Sequence, residues 1–269
     1  MTNKGGQKMI TIQKDKCIGC LACVDKCLCR ALVPNAEDGR PEFVLERGCI
    51  KCMHCAAACP QNAILFDGES AISNEEIPAI GENFADELQN FLLERRSYRN
   101  FKDTPVPMSE IRHALEVAAW APSAKNQHPT KYYVVNGKEK VQQIMDIITA
   151  YLKETGERPE ILPTLANGSN MVVADAPTLI LAYSRNNANR PMEDVTLALG
   201  YAEMVLQSRG IGTCWGGYLQ YFLNKIDVFK EMFPLPDNNS FYGTLLVGYP
   251  TEEYLHIPKR LKQADIKEL

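Results

Sequence analysis

The sequence has no surplus of positive charge. Its 29 Lys and Arg are outnumbered by 33 Asp and Glu, for a formal charge of −4. Nucleic-acid binders draw much of their affinity from basic side chains that displace counterions, so this balance argues against such a partner. Long apolar runs are missing too. Residues 1–16 carry scattered lysines and no stretch able to form the middle of a secretion signal. The most apolar later segment, Met171–Tyr183, is broken by Asp175 and Pro177 and falls short of the roughly 20 residues that span a bilayer. A cytoplasmic protein without a membrane partner is expected. No dinucleotide fingerprint appears either: Gly210-Ile211-Gly212 opens like one, but its sixth position is Trp215 and it follows a helical pattern rather than a strand. Disorder and fibre are excluded by a composition that is 45% hydrophobic and 23% charged, that of a globular protein with a sizeable core.

Cysteine is nearly absent outside one short stretch. Nine of the ten lie between Cys17 and Cys59, and only Cys214 stands apart. Without an export signal, a disulfide scaffold is disfavoured against metal binding. The run reads Cys17, Cys20, Cys23, Cys27 and then Cys49, Cys52, Cys55, Cys59, two copies of Cys-x-x-Cys-x-x-Cys-x-x-x-Cys at an offset of 32 residues. Ala31-Leu32 falls on Ala63-Ile64 at the same offset, so the segment is an internal duplication. Zinc usually takes its ligands as two separated pairs; two full sets with triple spacing suit iron–sulfur cubes better. Residues 10–68 resemble the bacterial two-cluster ferredoxins, in which the fourth cysteine of each run serves the other cluster. The resemblance implies one [4Fe–4S] cluster on Cys17, Cys20, Cys23 and Cys59, and a second on Cys49, Cys52, Cys55 and Cys27. Two departures stand out: Leu28 occupies the place of Pro60, and Cys29 is surplus. Cys29 is an alternative to Cys27, but the duplication aligns Cys27 with Cys59, which makes Cys29 a spectator.

From Asp67 to Glu87 the sequence is acidic and rich in Gly, Ser and Pro, a linker composition. Helical spacing of Phe84, Leu88, Phe91 and Leu92 then leads to Arg95. Further helices are expected from Ser109, as N-cap, to Trp120, over Lys138–Leu152, and over Met192–Arg209 with Gly210 as its cap; strands are expected at Lys131–Val135, Thr178–Tyr183 and Phe241–Val247. This order predicts an α+β domain with a mixed sheet and helices on both sides. The organisation expected is a ferredoxin-like domain at 1–68, a linker at 69–87 and a second domain at 88–269.

Four segments of the second domain carry chemistry. Arg95-Arg96-Ser97-Tyr98-Arg99-Asn100-Phe101 puts three guanidiniums at a helix end, suited to a phosphate or simply to the negative end of that helix. Ala121 to Pro129 is a polar loop, functional or a plain connector. Gly210 to Tyr218 holds four glycines, which let backbone approach a flat ligand or merely make a tight turn. Gly248-Tyr249-Pro250, followed by Pro258-Lys259-Arg260, adds cations for a phosphate or for the surface.

In order and spacing these four segments resemble the nitroreductase family of FMN-dependent oxidoreductases over residues 90–262, and the whole chain looks like a ferredoxin–nitroreductase fusion. The resemblance implies that Arg95, Arg96, Ser97 and Arg99 hold the FMN phosphate and one flavin edge, with Arg260 closing on the phosphate. Pro122, Ser123, Ala124 and Asn126 would come from the partner of a homodimer, with FMN at the interface. Backbone around Cys214, Trp215, Gly216 and Gly217 would meet the flavin ring. Cys214 has no histidine placed to activate it and is expected to be a small packing residue. Where the family pattern continues Asn-x-Gln-Pro-Trp, this chain has Asn126-Gln127-His128-Pro129-Thr130; His128 is either a proton source or a surface loop residue.

FMN carries the hard chemistry, so no indispensable catalytic side chain is expected. The expected flow runs from an external low-potential donor such as ferredoxin, through the clusters, to FMN and a small electron-poor acceptor, nitroaromatic or quinone-like. Alternatives are a flavin domain fed directly by NAD(P)H, a reductive dehalogenase or flavin-degrading enzyme of the same fold, and a redox sensor without turnover.

Overall fold

A computed structural model describes residues 10–44, 47–72, 76–259, 262 and 264–269. It divides into two compact units, residues 1–81 and 82–269.

The duplication in the first unit is a duplication of backbone. Short helices α1 (Ala22–Asp25) and α2 (His54–Ala57) each follow a residue in the left-handed region, Leu21 at φ 59° and Met53 at φ 58°. Arg30 and Asn62 repeat the conformation after each fourth cysteine, at φ 51° and 45°. Strand β1 (Ile10–Ile12) pairs antiparallel with β4 (Ile64–Phe66), and β2 (Leu32–Pro34) with β3 (Pro41–Phe43). The buried set is small: Ile10, Leu32, Ala56 and Ile64 close around Cys23 and Cys55.

In the second unit, α3 (Phe84–Glu94) has the expected amphipathic pattern, yet none of its residues is buried. Helix α4 (Met108–Ala118) starts one residue before the expected cap at Ser109. The Pro107 carbonyl already accepts the N–H groups of Glu110 and Ile111, and a proline just ahead of a helix lacks the N–H that would otherwise be unpaired. Then come β5 (Lys131–Asn136), α5 (Lys138–Thr155), α6 (Ile161–Ala166), β6 (Thr178–Arg185) and α7 (Pro191–Ser208). The chain closes with β7 (Gly212–Trp215), α8 (Gly217–Lys225), α9 (Val228–Met232) and β8 (Asn239–Gly248). Sequence periodicity did not reveal α6, β7, α8 or α9: three are of six residues or fewer, and β7 and the start of α8 lie in the glycine-rich segment.

The four strands order β5-β6-β8-β7 and pair antiparallel throughout. Among the described residues, the parallel pairing expected of a mixed sheet is confined to one bridge, Ser97 with Thr213. Strand β6 is buried on both faces, as its near-continuous apolar run requires. Leu179 and Leu181 pack toward α5, α8 and α9, while Ile180 and Ala182 pack toward α4 and α7. Helices therefore cover both sides, in an α+β layout.

Candidate functional site

The eight paired cysteines of the first unit fall into two cavities. Cys17, Cys20, Cys23 and Cys59 line one, with Ile12, Ile64 and Pro60 among its walls. Cys27, Cys49, Cys52 and Cys55 line the other, together with Cys29, Leu32 and Phe43. In each cavity the fourth cysteine comes from the opposite repeat. The backbone of Ala31 donates to Cys27 Sγ and that of Ala63 to Cys59 Sγ, both at 3.2 Å, equivalent bonds at the 32-residue offset. Burial pushes the Cys55 thiol up to about 11, with Cys27, Cys49 and Cys52 adding to the rise. Among the described residues no three or more His, Cys, Asp or Glu side chains converge as on a single metal ion. A four-iron cube makes a different demand, since each thiolate binds a separate iron. The two apolar-walled cavities, with four thiols in one and five in the other, and backbone N–H groups donated to Cys27 and Cys59, offer the donor set that such a group takes.

In the second unit the edge strand β7 organises the site. Ser97 bridges Thr213, and the Tyr98 N–H donates to the Thr213 carbonyl at 2.9 Å. Further on, Phe101 bridges Pro250 and the Lys102 N–H donates to the Tyr249 carbonyl at 2.8 Å. The arginine segment is thus laced to both the glycine-rich segment and the Gly248-Tyr249-Pro250 turn. Gly212 is required by that contact: a Cβ there would lie 2.9 Å from the Tyr98 ring.

Beside this edge lies a cleft of about 900 Å³, within the range of cofactor sites. Arg99, Cys214, Trp215, Gly216 and Gly217 line it, as do Asn100, Arg158, Asn170, Asp175, Tyr218 and Tyr221. Gly217 opens α8, so the positive end of that helix lies at the cleft. A Cβ on Gly217 would meet nothing within 4 Å and its φ is not left-handed. Neither backbone nor neighbours demand glycine there, which leaves open space in front of it for a flat ligand. Arg158 lies over the rings of Tyr218 and Tyr221, at 5.9 and 5.0 Å. Burial pushes the Cys214 thiol up, against the opposing pull of Arg99.

The other arginines are placed differently. Arg95 pairs with Glu203 at 3.2 Å, and Glu203 also accepts from Gln207 and Thr213. Arg96 donates to the carbonyls of Leu93 and Arg95, both at 2.7 Å. Arg99 donates to the Ser97 carbonyl and its backbone N–H to Glu252, whose carboxyl is held below the usual range first by Asn100. Arg260 lies outside the described residues.

The loop with Pro122, Ser123, Ala124 and Asn126 does not line the cleft of its own chain. It folds as a 3-10 turn over Ala124–Asn126. The buried Asp194 of α7 anchors it by accepting the Ala124 N–H at 2.8 Å. Ser123 Oγ accepts the His128 N–H, and the His128 ring bonds Asn126 Oδ1 at 2.7 Å. His128 thus helps shape the loop. Arg158, Asn170, Asp175 and Tyr221 lie outside the four segments singled out in the sequence; the fold brings them beside Cys214.

Three comparisons bear on identity. The chain is 25% identical over 178 residues to an iodotyrosine deiodinase of Thermotoga neapolitana, covering 64% of this chain and 93% of that protein. It is 25% identical over 173 residues to YfhC of Bacillus subtilis, named as an NAD(P)H nitroreductase, covering 61% of this chain and 85% of the relative. In fold it is similar to a Bacteroides fragilis nitroreductase solved with bound FMN, at a TM-score of 0.59 and 21% identity, over 68% of this chain and 98% of that one. The nitroreductase family model matches residues 92–249, more than half of the chain, and includes the arginine segment, the cleft wall and the sheet that carries them. This chain belongs to the nitroreductase family and is an oxidoreductase.

Proposed function

We propose that the chain is an FMN-dependent oxidoreductase with a ferredoxin-like domain (1–68), a linker (69–87) and an FMN-binding domain (88–269). Two [4Fe–4S] clusters in the first domain relay electrons from an external low-potential donor such as ferredoxin to FMN and on to an electron-poor organic substrate, nitroaromatic or quinone-like. The observation that carries this reading is the partition of the eight repeat-matched cysteines, four to each of two cavities, in one chain with a nitroreductase-family cleft. Bound FMN supplies single-electron acceptance and two-electron delivery.

Each of this chain's residues then has a task. Cys17, Cys20, Cys23 and Cys59 hold one cluster, and Cys27, Cys49, Cys52 and Cys55 the other. Arg99 offers a cation at the rim of the cleft, with Arg95, Arg96, Ser97 and Arg260 completing the phosphate and flavin-edge contacts. Backbone at Cys214, Trp215, Gly216 and Gly217 bears on the ring, and the bare Gly217 lets it approach. The Pro122, Ser123, Ala124 and Asn126 loop reaches the flavin of a second copy in a homodimer. In support, α3 leaves Phe84, Leu88 and Leu92 exposed on one helix, a face that a second copy would cover.

The family relationship and the open cleft favour an enzyme over a sensor without turnover. The similarity to a protein named iodotyrosine deiodinase supports reductive dehalogenation as a second reading for the same cleft. The name of the Bacillus subtilis relative supports NAD(P)H as an alternative donor; anaerobic stopped-flow mixing with NADH distinguishes the donors. Cys20→Ala tests the main reading. It should cut turnover with reduced ferredoxin while sparing dithionite-driven bleaching of the flavin. Equal loss with both donors overturns the proposed order of electron flow.

A further inference from the structure

Cys29, which the repeat alignment leaves over, shares the cavity of Cys27, Cys49, Cys52 and Cys55. It is half-buried. At the 32-residue offset its counterpart is Gln61, which lines the other cavity. The two cavities therefore present the same backbone position to their interiors, once as an amide and once as a thiol. Between the fourth cysteine and this position the repeats differ again. Pro60 fixes φ in one copy, whereas Leu28, 83% exposed and unpacked, leaves the other free to adjust.

We propose that Cys29 is a reserve ligand of the second cluster, positioned to bind the iron that Cys27 holds. The proposal rests on the cluster reading above and departs from the view of Cys29 as a spectator. In the exchange the iron–sulfur bond to Cys27 breaks and one to Cys29 forms. The Cys29 thiol gives up its proton and the departing Cys27 sulfur takes one up, so no electron moves and no oxidant is needed. The second cluster would then survive loss or alkylation of Cys27. The first cluster has no such cover for Cys59.

The test is iron and sulfide content, with electron paramagnetic resonance of the reduced clusters, on full-length protein reconstituted anaerobically with ferrous iron and sulfide. Flavin content reports that the second unit is folded. Wild type and Cys29→Ala should each hold about eight irons per chain. Cys27→Ala should also hold about eight, whereas Cys59→Ala and the double variant Cys27→Ala/Cys29→Ala should fall to about four. Equal iron in Cys27→Ala and the double variant overturns the proposal, as does loss of a cluster from Cys29→Ala alone. Should Cys27→Ala prove insoluble, the gain-of-function arm decides. Cys59→Ala/Gln61→Cys should regain the cluster that Cys59→Ala lost, and no recovery overturns the proposal. Wild type that binds no iron sinks the cluster reading itself, a result distinct from either of these.

Discussion

Around the cysteine cavities the apolar support is thin: among the described residues Ile10, Ala31, Leu32, Ala56, Ala63 and Ile64 make up most of what is buried beside the thiols. Around the cleft it is deep, with β6 buried on both faces and α4, α5, α7 and α8 packed against the sheet. The first unit places its reactive groups by local spacing, a cysteine every third residue through a tight turn. The second assembles its groups from Arg99, Asn170, Cys214 and Tyr221, which only tertiary structure brings together. A site of the first kind depends on what it binds for its order; a site of the second kind exists before its ligand arrives.

Iron chelation is the harshest trial of that contrast. Because metal binding supplies folding free energy to small metal domains, the proposed clusters imply that chelation abolishes amide protection over residues 10–66 while β6 and α7 stay protected in hydrogen exchange. Simultaneous loss in both units would break the comparison. The converse perturbation is Leu199→Ala, which empties a fully buried position between α7 and the sheet. It should cost about 2–5 kcal/mol, read as an earlier thermal transition of the second unit with the visible absorption of the first unchanged. Gly217→Leu sharpens the idea of a preformed cleft. A Cβ there meets no protein atom within 4 Å, so stability should move by no more than about 0.5 kcal/mol while bound flavin per chain falls; a large drop in melting temperature would show the glycine to be structural.

The smallest effect concerns pH. Asn100, then Tyr254 and the Arg99 N–H, hold the Glu252 carboxyl below its unfolded value. Its stabilising contribution is therefore complete above the unfolded carboxylate range, about 4.3, and disappears as pH falls through the lower folded value. Glu252→Gln should flatten the acid limb of the stability profile slightly, and an unchanged limb would remove this contact from the account.

Much of the first unit was legible because its signal is repetition. The pairing of Cys59 with Cys17 and of Cys27 with Cys49 needed the resemblance, since spacing alone says only that the fourth cysteine points elsewhere. The longer helices and central strands were readable from periodicity. Pro107 displaced the cap expected at Ser109 because its carbonyl was already in helical register. In the cleft, Arg99 and Cys214 to Gly217 were legible as motif residues. Arg158, Asn170 and Tyr221 were not, because no local pattern separates a residue that faces a cavity from one that faces water. Arg95 looked like a free cation in the sequence and is paired with Glu203, a partner 108 residues away.

The exchange of fourth cysteines between repeats has a consequence for how such a module can be cut. Neither repeat encloses a complete container: Cys59 finishes the cavity begun by Cys17, Cys20 and Cys23, and Cys27 finishes its twin. A fragment ending between the repeats would carry an open cup with three thiols, and Cys27 and Cys29 stray beside it. The indivisible part is the reciprocal couple, and any minimal carrier engineered from this protein must keep both halves or neither.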